Sequence, residues 1–470
     1  MLKADSEADS EADCAADGAD VAVVGGGWAG CAAAVELAAA GCRVTLYEAA
    51  RTLGGRARAV EVKGPTGERR LDNGQHILLG AYKDSLKLLR RVGVDPRAAF
   101  LRLPLQMRYP PASGLMDFVA PRLPAPLHVL AALLRAKGLA REDKLALARF
   151  STSARWMGWQ LHADCSVTEL LERFDQTPRL QRLLWAPLCI AALNTPPERA
   201  SARVFLAVLR DSLGAKRAAS DMLLPRVLLD ALFPDAARGW LEGRGARVLT
   251  GTRVGSIAQD GTRWRVGNDA GCLVHDALVV AAPPWQAASL LRALPGLEQT
   301  CAQLDAFAYE PISTVYLQYD PGTRLPLPFC ALLDAPERGL WGQFAFDRGQ
   351  LDADDEGGKD GQDGLLAVVV SAAGDAAAQP QEALARAVAA QLADAFAMPG
   401  LAASRWSQVI TEKRATFACA PGLARPANAT ALPGLFLAGD YTASDYPATL
   451  EAAVRSGVQA AQALLKGRAP

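Results

Sequence analysis

Near the start of this chain a run of valines ends in a cluster of glycines, Val21-Ala-Val-Val-Gly25-Gly26-Gly27-Trp28-Ala29-Gly30. Few patterns restrict a fold as tightly. The four apolar residues read as a buried parallel strand, and residues 31–40, rich in alanine, as a helix. Gly25 permits the tight turn between them, Gly27 lets backbone approach a bound group, and Gly30 lets helix and strand pack closely. Val44-Thr-Leu-Tyr47 is then a second strand. It ends at Glu48, roughly 20 residues past the glycines, where an acid meets ribose hydroxyls. Strand, glycine turn, helix, strand and terminal acid in this order make a unit that binds a dinucleotide. Its pyrophosphate is expected at the helix start, beside Trp28 and Ala29, where unpaired N–H groups and the helix dipole attract phosphate.

The following segment, Glu48-Ala-Ala-Arg51-Thr-Leu-Gly54-Gly55-Arg56, adds a second glycine pair and two arginines. Gly54 and Gly55 allow backbone to approach the same pyrophosphate from its other side, and Arg56 can add charge-assisted hydrogen bonds. This Gly-Gly-Arg pattern resembles the flavin-binding amine oxidase and carotenoid desaturase superfamily. The resemblance implies FAD as the dinucleotide, with NAD as the alternative. It also implies an α/β fold in which a Rossmann-like FAD-binding domain of the Gly-Gly-Arg type is interleaved with an α+β substrate-binding domain.

Far along the chain, Leu435-Phe-Leu-Ala-Gly439-Asp440 is a short apolar strand ending in Gly-Asp, followed by a helical stretch from Pro447 to Gly457. The same superfamily looks like this at its C-terminus. Asp440, with Gly439, is thereby expected on the ribityl and pyrophosphate region, and the helix start at Thr449 and Leu450 on the flavin ring. Val254 matches the position whose backbone meets the adenine. Two motifs so distant in sequence must meet on one cofactor, so the domains are expected to be discontinuous: 20–105, 225–292 and 405–470 for FAD, and 106–224 and 293–404 for substrate. Residues 1–19 form an acidic tail too poor in apolar side chains to fold, and 351–364 read as a solvated Asp/Gly-rich loop. Residues 120–220 are mainly helical by periodicity, 224–245 read as one helix, and strands near 312–319, 341–346 and 365–371 suggest a second sheet.

Three middle segments narrow the resemblance. Leu71-Asp-Asn-Gly-Gln-His76 with Gly80-Ala-Tyr82, Leu184-Trp-Ala-Pro-Leu-Cys-Ile-Ala-Ala-Leu-Asn194-Thr-Pro-Pro-Glu198-Arg199, and Ser220-Asp221-Met-Leu-Leu-Pro225 look like the hydroxysqualene dehydroxylase family of bacterial hopanoid pathways. By spacing alone these stretches would also suit an ordinary helical core. The resemblance implies that hydroxysqualene, a polyprenyl substrate, loses its hydroxyl and gains a hydride from reduced FAD. Two other readings stand beside it: an oxidative carotenoid or squalene desaturase, and a non-catalytic flavin-bearing carrier of hydrocarbon. Amine oxidation is disfavoured, because Thr449 stands where an aromatic cage residue is usual and no lysine occurs between Lys216 and Lys359.

A departing hydroxyl needs a proton. The candidates on segments expected near the flavin are Asp72, His76, Asp445 and Tyr446, with His76 preferred because imidazole titrates nearest neutrality.

Composition excludes other classes. Lysine plus arginine and aspartate plus glutamate are balanced at 50 each, so nothing points to nucleic acid. The four histidines are scattered and the nine cysteines lack metal-like spacing, which argues against a metal centre. With no secretory signal, the cysteines read as reduced thiols of a cytoplasmic protein. No stretch is long enough to span a bilayer. The apolar, basic-flanked segment 121–150 is expected either to lie on the inner face of the cell membrane, near pathway enzymes, or to line a substrate tunnel.

Overall fold

The computed structural model describes residues 18–64, 67–125, 127–351 and 362–467. All but the last two residues of the acidic first segment, and most of the stretch 351–364, lie outside them. Two sheets carry the architecture. In chain order the elements that position the site are β1 (Asp20–Val24), α1 (Trp28–Ala39), β2 (Arg43–Tyr47), β3 (Arg247–Leu249), β4 (Ala277–Val280), β5 (Tyr309–Gln318), β6 (Phe329–Ala331), β7 (Phe344–Asp347), β8 (Leu365–Ser371), β9 (Trp406–Phe417), β10 (Leu435–Leu437) and α2 (Leu450–Lys466).

The first sheet has the order β3-β2-β1-β4-β10, and every pairing in it is parallel. Its central strand is covered on both faces, which is why Val21 to Val24 form an unbroken apolar run rather than an alternating one. Against the sheet lies α1, and α2 packs on α1. At Gly457 of α2 a Cβ would come within 2.2 Å of the Ala29 carbonyl oxygen, so a side chain there would force the two helices apart. Helix α1 begins at Trp28, earlier than the expected 31, because Gly27 already takes the extended conformation of a helix N-cap.

The second sheet has the order β6-β7-β8-β5-β9 and is antiparallel throughout. Strand β9 pairs with β5 from Phe417 opposite Tyr309 to Trp406 opposite Gln318. The boundary expected at 405 is therefore wrong by one strand, and the chain returns to the first sheet only after Phe417. The punctuation that marks the return, Pro421-Gly422, follows β9 rather than preceding it. The expected helix at 224–245 is also divided. Met222–Pro225 is a strand, and the helices Leu229–Leu232 and Pro234–Glu242 follow it. Pro225 cannot continue a helix, whereas Pro234 is tolerated in a first turn, where its missing N–H would have no partner.

Helices dominate 127–213, as the periodicity requires. Within them Gln181–Trp185 forms a π-helical turn that runs directly into Ala186–Leu193. Pro187 removes a backbone N–H at this junction, and the wider turn accommodates the loss. One contiguous core joins Ala22 and Val24 of the first sheet, Tyr316 and Phe344 of the second, and Phe150, Trp185 and Phe205 of the helices. The two lobes therefore share a core.

Candidate cofactor and substrate site

The glycine turn after β1 is built as tightly as its sequence demands. Gly25 has φ +112°, and a Cβ on Gly30 would lie 1.8 Å from the Gly25 carbonyl oxygen. Glu48, at the end of β2, accepts hydrogen bonds from the N–H of Gly26 and of Ala50, both at 2.7 Å. Its carboxylate is thus fixed at the lip of the turn. The second glycine pair comes back against the first, with the Gly54 N–H donating to the Gly26 carbonyl at 2.8 Å. No acidic side chain stands in the first turn of α1 and none caps it, so its N–H groups and dipole are free to take an anion. Trp28 is anchored below, its indole N–H donating to Ala57 and its ring packed 5.1 Å from Phe233.

The C-terminal half closes on this cradle. Arg56 pairs with Asp440 at 2.6 Å and donates to the Ala415 carbonyl at 2.8 Å. Arg425 holds the loop before α2 in shape through the carbonyls of Asp440 at 2.5 Å, Tyr446 at 2.6 Å and Ser444 at 2.9 Å. Burial lowers the pKa of its guanidinium. The loop delivers Thr449 as the N-cap of α2, its hydroxyl accepting from the Ala452 N–H at 3.2 Å. Glu451, fully buried in the same turn, takes the Ser85 N–H and hydroxyl at 2.9 and 2.6 Å and so caps the helix Lys83–Arg91.

The glycine turns, Glu48, Arg56, Asp440 and the start of α2 border one cavity of about 1160 Å³. Among the residues expected on the cofactor, Gly25, Gly27, Trp28, Ala29, Glu48, Gly54, Gly55, Arg56, Val254, Gly439, Asp440, Thr449 and Leu450 line it. Gly30 does not; it acts from behind, by closing helix onto strand. A turn that a Cβ would fill, a fixed carboxylate for ribose and two helix N-termini on the wall fit an extended, doubly phosphorylated dinucleotide. Beyond the cradle the wall becomes apolar, with Met107, Leu188, Ile190, Val208, Ile312 and Phe344. No lysine is among the described residues that line it.

The four acid candidates separate. His76 and Tyr446 border the cavity, whereas Asp72 and Asp445 do not. Asp445 is a surface residue, 72% exposed, near Arg210. Asp72 is buried and accepts the Leu229 N–H at 2.8 Å, so it caps the short helix Leu229–Leu232. Burial pushes its pKa up to about 6, with Arg348 opposing. The His76 Nδ1 lies 3.1 Å from the Gly74 carbonyl oxygen, which can only accept, so Nδ1 carries the proton. Burial holds the imidazole below its ordinary pKa; the hydrogen bond opposes this, and the Arg56 charge adds to it. Neutral His76 thus has a lone pair at Nε2 and no proton there to give, contrary to the role preferred from sequence.

Tyr446 brings in a residue that sequence reasoning missed. Its hydroxyl donates to Asp211, which also lines the cavity. Burial would raise the Asp211 pKa, but hydrogen bonds from Arg210 and Tyr446 hold it below the usual carboxylate range. Burial and the bond to Asp211 push Tyr446 up to about 12. The available signal was an acid beside the apolar Val208, Leu209 and Leu213 of the helix Ala202–Leu213, all of them lining residues. Arg425, alone in a Pro/Ala-rich loop, offered no comparable signal.

The model of the flavin-containing amine oxidoreductases matches residues 28–465, and the chain belongs to that family. Within it, the chain is similar over nearly its whole length to hydroxysqualene dehydroxylases. It shares 31% identity with that of Rhodopseudomonas palustris, covering 96% of this chain and 99% of the relative, and 29% with that of Zymomonas mobilis, covering 94% and 98%. A zeta-carotene desaturase of Synechocystis is 27% identical over 96% of this chain and 98% of its own. Among solved structures, a putative protoporphyrinogen oxidase from Exiguobacterium superposes with a TM-score of 0.67 at 18% identity, covering 95% of this chain and 99% of that one. Cyclohexylamine oxidase from Brevibacterium oxydans gives 0.64 at 18%, covering 96% and 99%. The protein is an FAD-dependent oxidoreductase.

Proposed function

We propose that the chain reduces hydroxysqualene to squalene. The observation that carries this reading is the continuity of one cavity, from the dinucleotide cradle into an apolar chamber without lysine. The apolar stretch of its wall suits a hydrocarbon chain, which gains by leaving water. The names of the relatives agree with it.

When bound and reduced, FAD supplies the hydride. The chain's own residues do the rest. Glu48 and the N-terminus of α1 hold ribose and pyrophosphate, while Arg56 and Asp440 lock each other at the far side. The apolar wall excludes water and aligns the substrate, so that the reacting carbon meets its donor at short range. As the C–O bond breaks and a C–H bond forms, the departing oxygen takes up a proton and leaves as water. In this proposal the single O–H of Tyr446, which donates to Asp211 in this structure, turns to the departing oxygen when substrate is bound and supplies that proton. Nε2 of His76 accepts a hydrogen bond and serves in positioning.

The test is anaerobic. The flavin of the purified holoenzyme is photoreduced, hydroxysqualene is added, and flavin absorbance and products are followed together. Reoxidation with stoichiometric squalene is expected. A flavin that stays reduced over unchanged substrate would overturn the reading, and squalene or a carotene precursor would then be offered to the oxidised enzyme to test for desaturation.

A further inference from the structure

Two consecutive helices carry an apolar surface that the cavity does not use. Among the described residues, the large apolar side chains that stand exposed are Leu123, Leu127, Leu130, Leu134, Leu145 and Trp156, with Leu273 the one elsewhere. None of the six lines the cavity. On the helix Leu127–Arg135, Leu127, Leu130 and Leu134 fall on one stripe, while His128, Ala132 and Leu133 bury the other side. On Arg141–Trp156 the stripe is Arg141, Leu145, Arg149 and Trp156, opposite buried Ala146, Leu147 and Phe150. Lys144 ties the helices together by donating to the Leu134 carbonyl at 2.9 Å. Leu134 is 67% and Trp156 89% exposed, an unfavourable state for side chains of that size in water.

Charge identifies the occupant. Arg122, Arg135, Lys137, Arg141, Arg149 and Arg155 stand exposed around the stripes. Of the nearby acids only Glu142 is exposed; Asp143 is buried and committed to Thr177 and the Ala140 N–H. Leucines and a terminal tryptophan surrounded by cations suit the boundary between acyl chains and anionic headgroups, where leucine enters the hydrocarbon and arginine snorkels to phosphate. A protein partner would instead favour an apolar centre with fewer cations set among the leucines.

The same helix touches the cavity wall. His128, on its buried side, lies 3.3 Å from the hydroxyl of Ser220, a lining residue. We propose that Leu123 and the helices Leu127–Arg135 and Arg141–Trp156 form a docking face for an anionic phospholipid bilayer, seating the apolar chamber beside the membrane. The docking itself is independent of the reaction proposed above; only its use, the uptake of a lipid-soluble substrate, rests on that reading.

The holoenzyme would be mixed with vesicles of phosphatidylcholine alone and of phosphatidylcholine with phosphatidylglycerol, and vesicle-bound protein measured by flotation. Binding to the anionic vesicles, weakened by salt, is expected. The double variant Leu130→Glu/Leu134→Glu should reduce it by about tenfold or more. Arg141→Glu/Arg149→Glu should remove the preference for anionic lipid, and Leu273→Glu should change nothing. Flavin absorbance and circular dichroism verify that each variant is folded, since every altered side chain is exposed. Unbound wild-type protein, or binding unchanged in the leucine variant, would overturn the proposal. So would a dimer in analytical ultracentrifugation that the leucine variant dissociates, because the face would then belong to a second copy. If flotation succeeds while the photoreduction test fails, the docking face stands and the reaction reading falls.

Discussion

Tyr446 and Asp72 show how position decides what an ionisable side chain can do. Tyr446→Phe removes one hydroxyl that lines the cavity and leaves the ring under Arg455, 4.4 Å from its centroid. If it carries the proton, kcat for hydroxysqualene should fall about 100-fold or more, with flavin content and substrate affinity nearly unchanged. Stopped-flow reoxidation of the reduced flavin measures this directly. Asp72 serves stability. Its folded pKa, raised to about 6, exceeds that of an unfolded aspartate, so the native state binds its proton more readily. The contribution of this group to stability is therefore full below about pH 4 and lost as pH rises through about 6. Asp72→Asn keeps an acceptor for the Leu229 N–H and removes the buried charge. It should raise the melting temperature at pH 8, by an effect on the order of 2 kcal/mol, and the advantage should vanish towards pH 4. A variant less stable than wild type at pH 8 would show that the charge is compensated by Arg348.

At the scale of elements, Asn194 is a junction. It ends the helix Ala186–Leu193 in the left-handed conformation, φ 47°. Its side chain then ties that helix to the second sheet, donating to Thr416 at 2.9 Å and accepting from the Ala372 N–H at 2.7 Å. Asn194→Ala should cost about 2–3 kcal/mol, because buried Thr416 and the half-buried Ala372 N–H lose their hydrogen bonds and the left-handed cap loses a suitable residue. Thermal unfolding of the holoenzyme reads this. Asn194→Gly, which restores only the backbone freedom, should recover a minor part. The segment around Asn194 was visible in sequence as a distinctive stretch, but only as resemblance. Periodicity marked its helix, while the partners at 372 and 416 come from strands far along the chain. The nucleotide sheet was legible for the opposite reason. Each glycine near residue 25 answers a local steric demand, and local demands leave local signatures. Strand β9 was assigned to the wrong lobe because pairing with β5 depends on register between distant segments, which its own residues do not record. His76 lines the cavity, but its protonation depends on the Gly74 carbonyl and on Arg56, neither of which spacing could reveal.

Across the whole molecule, the cofactor site is a clasp between the two ends of the described chain. Arg56 belongs to the first hundred residues and Asp440 to the last forty, and their pair is largely buried, the Asp440 side chain only 7% exposed. Arg56→Ala would leave that carboxylate without its charged partner, at a cost of about 3 kcal/mol. Apoprotein and holoprotein should both lose stability, and flavin retention on dilution should fall. Arg56→Lys should restore part of it, since an ammonium supplies charge without the fork geometry. A melting temperature unchanged in Arg56→Ala would show that the pair is neutral in this setting.

The clasp also has a bearing on how the protein is made. A ribosome translating this chain releases the glycine turn long before Asp440 and Thr449. Until then the nascent chain has a nucleotide cradle with one wall missing, and α1 lacks the α2 surface that covers it at Gly457. Flavin capture is therefore expected only once α2 has been made, and chains cut short before it should not retain flavin.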